Sequence, residues 1–171
     1  RAGNVIGGGD WSQDRLIPDC IRAWSRNKRV TIRNPNSTRP WQHVLEVVWG
    51  YIIFSAKLKL NKKLNGEAFN FGPSHKKNFK VIEVLKKMRT LWSKVKYSQD
   101  KKVKFKESKL LKLNSKKAKK LLGWNTILNF DKTIYWTIDW YQNFFSKKSS
   151  IKDYSIAQIR NYKKDLMKRF L

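Results

Sequence analysis

The sequence lacks several features that would place it outside the cytoplasm. Cys20 is the only cysteine among 171 residues, so an intrachain disulfide is impossible and a reducing, cytoplasmic compartment is expected. No apolar run approaches the ~20 residues that cross a bilayer, and no signal peptide is visible. Cys20 stands in an apolar helical stretch, which favours a buried thiol over a catalytic one. These absences predict a globular cytoplasmic protein without membrane contact.

Motifs of the common catalytic classes are also missing. The sequence contains no G-x-S-x-G, no H-E-x-x-H and no Walker loop. Its two histidines, His43 and His75, lie far apart and have no Cys or acidic cluster at metal-ligand spacing, so no metal site is expected. Tyr-x-x-x-Lys occurs once, at Tyr97 in a polar, lysine-rich stretch, and we interpret this match as chance. No catalytic residue is predicted in this chain.

Acidic residues are scarce relative to basic ones. The chain has 39 Lys and Arg against 12 Asp and Glu, which gives a formal net charge of +27. This charge would suit nucleic acid, anionic lipid or an acidic partner. However, 29 of the basic residues are Lys and 10 are Arg, whereas phosphate and base readers favour the bidentate Arg. A solvated, lysine-rich surface is favoured, nucleic acid is not expected as a partner, and a polyanion site is the alternative.

The hydrophobic pattern predicts an α/β protein that is rich in helix and has short strands. Strands are expected at 1–6, 29–34, 67–74 and 103–107. Helices are expected around 16–24, 43–60, 79–92, 114–123, 131–145 and 155–170. Asn114 or Ser115 and Asp131 are the expected N-caps, and Gly123 is the expected stop of its helix. The second helix carries one apolar stripe, expected to be buried, that consists of Val44, Val47, Val48, Tyr51, Ile52 and Ser55.

Two stretches could contact an anion. Gly7 to Gly9 are contiguous and do not match the G-x-G-x-x-G fingerprint of dinucleotide-binding folds. They form either a flexible turn or an anion-contacting loop. Arg33 and Arg39 flank a tight turn, where two guanidinium groups could hold a diphosphate in bidentate fashion. Ordinary surface arginines are the alternative.

The order and spacing of six motifs resemble those of the CDP-glucose 4,6-dehydratases, which are extended short-chain dehydrogenase/reductases. The motifs are "RAGNVIGGGDW", "DRLIPD", "IRNPNSTRPWQHVLE", "GEAFNFGP", "KKAKKLLGW" and "TIDWYQ". The resemblance implies that residues 1–171 form the C-terminal, nucleotide-sugar-binding region of a Rossmann-type fold. It further implies that the N-terminal, NAD-binding part is absent from this chain and that the full-length protein is a homo-oligomer.

The family reaction defines the expected substrate and cofactor. NAD takes hydride from C4 of the glucose in CDP-glucose, water leaves across C5 and C6, and the hydride returns to C6. The product is a precursor of deoxysugars in surface polysaccharide. The alternatives to such a substrate-binding portion are a non-catalytic basic fragment that binds nucleotides or polyanions, and an inert remnant with exposed apolar surface.

The resemblance also assigns substrate-binding residues by position. Asn4 and Arg39 match ligands of the diphosphate, and Arg15 to Ile17 match a helix start that lies against the nucleotide. Val30 to Arg33 would line the pyrimidine side through main-chain groups. The full set consists of Asn4, Arg15, Leu16, Ile17, Val30, Ile32, Arg33, Arg39, Asn70 near the pocket and the basic Lys109.

Overall fold

The computed structural model describes residues 1–74, 78–99, 111–147 and 149–168, and most of these are helical. Strands β1 to β6 span Asn4–Ile6, Val30–Ile32, Thr38–Arg39, Trp41–His43, Phe79–Lys80 and Tyr97–Gln99. Helices α1 to α5 span Leu16–Ser25, Val44–Leu60, Val81–Leu91, Phe130–Ser146 and Ile151–Met167. The helix-rich α/β prediction is confirmed. The predicted strand at 103–107 and Lys109 lie outside the described residues.

The strands form three small pairs within the described ranges. β1 pairs in parallel with β4, β2 pairs in parallel with β6, and β3 pairs antiparallel with β5. In the first pair, Asn4 lies opposite Trp41 and Ile6 lies opposite His43. The predicted strand at 67–74 is reduced to one parallel bridge between Ala2 and Phe71. These short pairs fix the ends of β1 and β2 relative to α1, which lies between these two strands in the chain.

The larger core lies between α1, α3 and α4. α1 turns Cys20, Ile21 and Trp24 inward, and each of these side chains is fully buried. This agrees with the helical spacing of its apolar residues, and Pro18 stands in the first turn, where its missing N–H costs nothing. α3 and α4 add further apolar side chains from one face each, as their periodicity predicts. The core therefore holds α1 firmly against the strands that surround the candidate site.

The predicted burial of the α2 stripe is wrong for four of its six residues. Val48, Tyr51 and Ile52 are 44%, 49% and 54% exposed, and Ser55 is exposed as well. Val47 is buried as expected, and the helix also buries Glu46 and Gly50. A second core of Leu64, Phe69, Phe71, Ala118, Leu122 and Trp124 packs against the helix. α2 is apolar on nearly every side, so periodicity could not identify which face is buried.

Two helix termini differ from the sequence-based expectations, and those of a third helical segment agree with them. The α4 N-cap is Asn129, whose side chain accepts from the Lys132 amide at 2.8 Å, whereas Asp131 lies inside the first turn. α5 begins at Ile151, capped by Ser150, and not at Ser155. Asn114 accepts from the Lys116 amide, and the following helical turn ends at Gly123, as expected.

Two further observations concern the helices. The apolar spacing of the predicted helix at 131–145 places Ile134, Ile138, Tyr141 and Phe145 on its inner face. The first three are fully buried, whereas Phe145 is 38% exposed. Among the described residues, no helix has both the length and the apolar character needed to span a bilayer.

Candidate functional site

A cavity of about 310 Å³ lies where β1, the start of α1 and β2 converge. β1 contributes Asn4, and the first turn of α1 contributes Leu16 and Asp19. The opposite wall is β2 with the turn that follows it. The complete lining is Asn4, Asp14, Leu16, Asp19, Val30, Thr31, Ile32, Arg33, Asn34, Arg39, Trp41 and Val81. The fold thus brings residues that are up to 77 positions apart, Asn4 and Val81, to one cavity.

Six of the ten residues assigned from the sequence line this cavity. They are Asn4, Leu16, Val30, Ile32, Arg33 and Arg39. Arg33 is exposed at the end of β2, whereas Arg39 is half-buried on β3 and donates to the Thr38 carbonyl at 2.9 Å. The turn between Arg33 and Arg39 therefore brings both arginines to the lining of one cavity, although they come from different elements.

Arg15 and Ile17 line a neighbouring cavity of about 180 Å³, which shares Asn4 and Leu16 with the first. Arg15 donates to the Val5 carbonyl at 3.2 Å and forms an ion pair with Asp10 at 3.0 Å. Arg15 is also the N-cap of α1, and its side chain makes no capping hydrogen bond. The first amides of α1 therefore receive no side-chain cap, and such a helix start favours anions.

Asn70 is not brought to either cavity. It is half-buried beyond β4, and its amide donates to the Asn114 carbonyl at 3.4 Å. Lys109 lies outside the described residues, so the structure says nothing of its position. The sequence assignment of these two residues stays a prediction.

The glycine triplet is held by packing against side chains. A Cβ on Gly7 would lie 2.7 Å from Val44, and a Cβ on Gly8 would lie 2.0 Å from the Trp140 ring. Both positions therefore exclude any larger residue, because a side chain would overlap these neighbours. None of the three glycines lines the 310 Å³ cavity. Tight approach to α2 and α4 explains Gly7 and Gly8, and Gly9 has a φ of 81°, which favours glycine. The triplet is thus explained without a bound anion.

Sequence reasoning missed three polar features of the cavity. Asp14 adopts a left-handed conformation with φ of 58° just before α1 and lies at the rim. Asp19 and Asn34 also line the cavity, and the Nδ2 atom of Asn34 has no hydrogen-bond partner among the described residues. Trp41 is buried and its indole donates to the Phe79 carbonyl at 3.1 Å. The only sequence signal for these residues was that Asp14 and Asp19 flank the segment "RLIP".

The Cys20 thiol is buried and its ionisation is disfavoured. Burial, and secondly the Asp19 carboxylate, raise the pKa of Cys20 to about 12, so the thiolate is disfavoured at neutral pH. The predicted buried thiol is confirmed by its complete burial. Within the ranges that the structure describes, no group of three His, Cys, Asp or Glu side chains is placed to hold a metal ion.

Solved structures define the class to which this fold belongs. UDP-glucuronic acid 4-epimerase from Bacillus cereus, solved with UDP-glucuronic acid and NAD, matches 84% of this chain and 44% of its own with a TM-score of 0.70 at 19% identity. dTDP-glucose 4,6-dehydratase from Bacillus anthracis, solved with NAD, matches 84% of this chain and 43% of its own with a TM-score of 0.65 at 21% identity. The fold is that of the C-terminal part of a Rossmann-type extended short-chain dehydrogenase/reductase.

Sequence similarity narrows the class further. The chain is 39% identical over 168 residues to CDP-glucose 4,6-dehydratase of Salmonella typhimurium, across 94% of this chain and 47% of the relative. The match is to the C-terminal portion of that enzyme, and the chain spans about half of its length. No family model matches the sequence. The chain is thus homologous to the C-terminal portion of a nucleotide-sugar 4,6-dehydratase.

Proposed function

We propose that the protein binds CDP-glucose in the 310 Å³ cavity, as the substrate-binding portion of a CDP-glucose 4,6-dehydratase, a lyase of the cytoplasm. The observation that carries the proposal is the convergence of Asn4, Leu16, Val30, Ile32, Arg33 and Arg39 on one cavity. The sequence resemblance assigns these residues to substrate binding by position, independently of the cavity. Their convergence is what a single nucleotide-sugar pocket requires.

The lining divides into parts that suit different parts of the ligand. The Arg39 guanidinium and the Asn4 amide supply donors for the diphosphate, and charge-assisted hydrogen bonds of this kind are the strong ones. The backbone N–H groups at the uncapped start of α1 are further hydrogen-bond donors for the diphosphate. Leu16, Val30 and Ile32 form an apolar wall against which a pyrimidine ring can lie. The cavity therefore matches a nucleoside diphosphate better than a long polyanion.

This chain does not itself fit NAD. The only glycine-rich turn in the sequence does not match the G-x-G-x-x-G fingerprint, and it packs against Val44 and Trp140. In the proposal, NAD and the groups that carry out the dehydration belong to the portion of the relatives outside the aligned stretch. The 171-residue chain alone is therefore expected to bind the substrate and to catalyse no dehydration. A homo-oligomer is proposed for the full-length protein only.

Isothermal titration with CDP-glucose tests the proposal. Arg39→Ala is expected to weaken binding about tenfold or more, because it removes a charged hydrogen-bond donor worth about 1.5–3 kcal/mol. Arg26→Ala is the matched control, since Arg26 is exposed on the far end of α1 and does not line the cavity. Equal affinity in both variants, or no binding by the wild type, would contradict the proposal.

A salt series separates this function from polyanion binding. A contact between the lysine-rich surface and a polyanion weakens steeply as salt rises and shows no base preference. Binding of CDP-glucose is expected to depend on salt only weakly and to be blocked by CDP. Competition by heparin at low salt with no competition by CDP would favour a polyanion surface instead.

A further inference from the structure

The cavity lining contains two carboxylates, Asp14 and Asp19, that a diphosphate does not explain. Asp19 lines the cavity together with Arg33 and Arg39, and a carboxylate close to phosphate groups would repel them. Its two oxygens can only accept hydrogen bonds while it is ionised. Asp19 must therefore face a part of the ligand that presents N–H or O–H groups.

Neighbouring residues fix the orientation of the Asp19 side chain. One carboxylate oxygen, Oδ1, accepts from the Arg22 guanidinium one turn further along α1. Arg22 is held in turn, because it donates to the Trp11 carbonyl at 2.6 Å and to the Ser12 carbonyl at 3.1 Å. Arg22 does not line the cavity, whereas Asp19 does. The arrangement positions the carboxylate at the cavity wall and leaves Oδ2 to accept from a ligand.

The surroundings of Asp19 indicate which part of the ligand it meets. Leu16 precedes it by three residues, so both side chains lie on one face of α1. Val30 and Ile32 lie across the cavity from this face and complete an apolar wall. A flat aromatic ring suits such a wall, and Asp19 would then lie at the edge of that ring. An amino group at position 4 of the ring gives the carboxylate a donor, whereas a carbonyl oxygen at the same position does not.

We infer that Asp19 selects cytosine over uracil and thymine by accepting a hydrogen bond from the 4-amino group of the base. Carboxylates accept from this amino group in other recognition sites, and the equivalent atom of thymine is an acceptor. Uracil and thymine would place a carbonyl oxygen against the carboxylate with no proton between them. This inference rests on the proposed function, since it assigns the base to the apolar part of the same cavity.

Ligand analogues test the inference on the unmodified protein. The probes are CDP, UDP and the diphosphate of the 2-pyrimidinone riboside, which lacks the 4-amino group and is no larger than cytidine. Loss of one charge-assisted hydrogen bond predicts that UDP and the pyrimidinone analogue bind roughly tenfold to a hundredfold more weakly than CDP. Equal affinities for the three ligands would overturn the inference while leaving the proposed function intact.

A pair of variants then assigns the effect to Asp19. Asp19→Asn is expected to reduce the preference for CDP over UDP by about tenfold, because an amide can donate to a carbonyl oxygen as well as accept from an amino group. Asp14→Asn removes the same charge from the same cavity and is expected to keep the preference. Equal losses of CDP and UDP in Asp19→Asn would indicate contact with a sugar hydroxyl and overturn the inference. Failure of the wild type to bind any of these diphosphates would overturn the proposed function and the inference with it.

Discussion

Replacement of Glu46 is expected to destabilise the protein more than any single change at the surface. Glu46 is 1% exposed near the start of α2. Its Oε1 atom accepts from the Ile127 and Leu128 amides at 2.7 and 2.6 Å. Its Oε2 atom accepts from the Tyr162 hydroxyl at 2.8 Å. One carboxylate therefore joins α2, the segment before α4 and α5.

The magnitude follows from the groups that would lose their partner. Glu46→Ala leaves two amides and one hydroxyl without an acceptor, and hydrogen bonds to charged groups contribute about 1.5–3 kcal/mol each. Water that enters the vacated space recovers part of this, so the expected loss in the free energy of unfolding is about 3–5 kcal/mol. That is a large share of the roughly 5–15 kcal/mol that stabilises an ordinary domain.

Urea denaturation followed by tryptophan fluorescence measures the loss. Tyr162→Phe is the matched control, because it removes one of the three hydrogen bonds and should cost about 1–2 kcal/mol. Glu46→Gln keeps an acceptor for both amides and is expected to fall between the two. A cost below about 1 kcal/mol for Glu46→Ala, or equal costs for Glu46→Ala and Tyr162→Phe, would refute the assignment of Glu46 as the shared acceptor.

Three further predictions concern packing, pH and the exposed face of α2. Gly8→Ala should destabilise the protein by about 1–3 kcal/mol or more by overpacking against Trp140, and a melting temperature unchanged from the wild type would contradict this close approach. Burial lowers the pKa of His43 from 6.5 to about 4. The folded state therefore favours the neutral imidazole, and its contribution to the free energy of unfolding should be complete above pH 6.5. This free energy should fall by up to about 1.4 kcal/mol per pH unit as the pH decreases toward 4. His43→Asn should flatten the pH dependence in urea titrations, and an unchanged slope would contradict the role of His43. Ile52→Glu should reduce aggregation measured by light scattering and change stability by about 0.5 kcal/mol or less, whereas Val47→Glu should unfold the protein. Unfolding by Ile52→Glu as well would restore the predicted buried stripe.

Local sequence determined most helices, because their burial follows from periodicity. α1 and α3 bury the residues that helical spacing selects. The buried face of α2 could not be predicted in this way, because an apolar segment without a polar face has no periodicity that distinguishes one side from another. Its buried face is set by contacts far away in the sequence, such as the Trp124 indole donating to the Glu46 carbonyl at 3.0 Å.

Local sequence patterns could not predict the short strands or the role of the glycine triplet, because both depend on contacts with distant parts of the sequence. β4 has three residues, and only its pairing with β1 distinguishes it from the helix start that was expected there. The glycines could be a turn or an anion loop until the approach of Trp140 was known.

The site was predictable only in part. The family resemblance identified Asn4 and Arg39 as site residues. Composition alone could not have shown that they lie in one cavity, because β1 and β3 are far apart in the sequence. Asp19 was missed because its role depends on Arg22 behind it and on β2 across the cavity.

The central claim, that CDP-glucose binds between β1, α1 and β2, is tested most directly by an amide proton–nitrogen correlation spectrum of the protein titrated with CDP-glucose. Shifts are expected at Asn4, at the amides of β2 and at the indole of Trp41, a residue that lines the cavity. The indole of Trp124, which is buried in the second core, should not shift. Shifts scattered over the lysine-rich surface, or no shifts at saturating ligand, would contradict the claim.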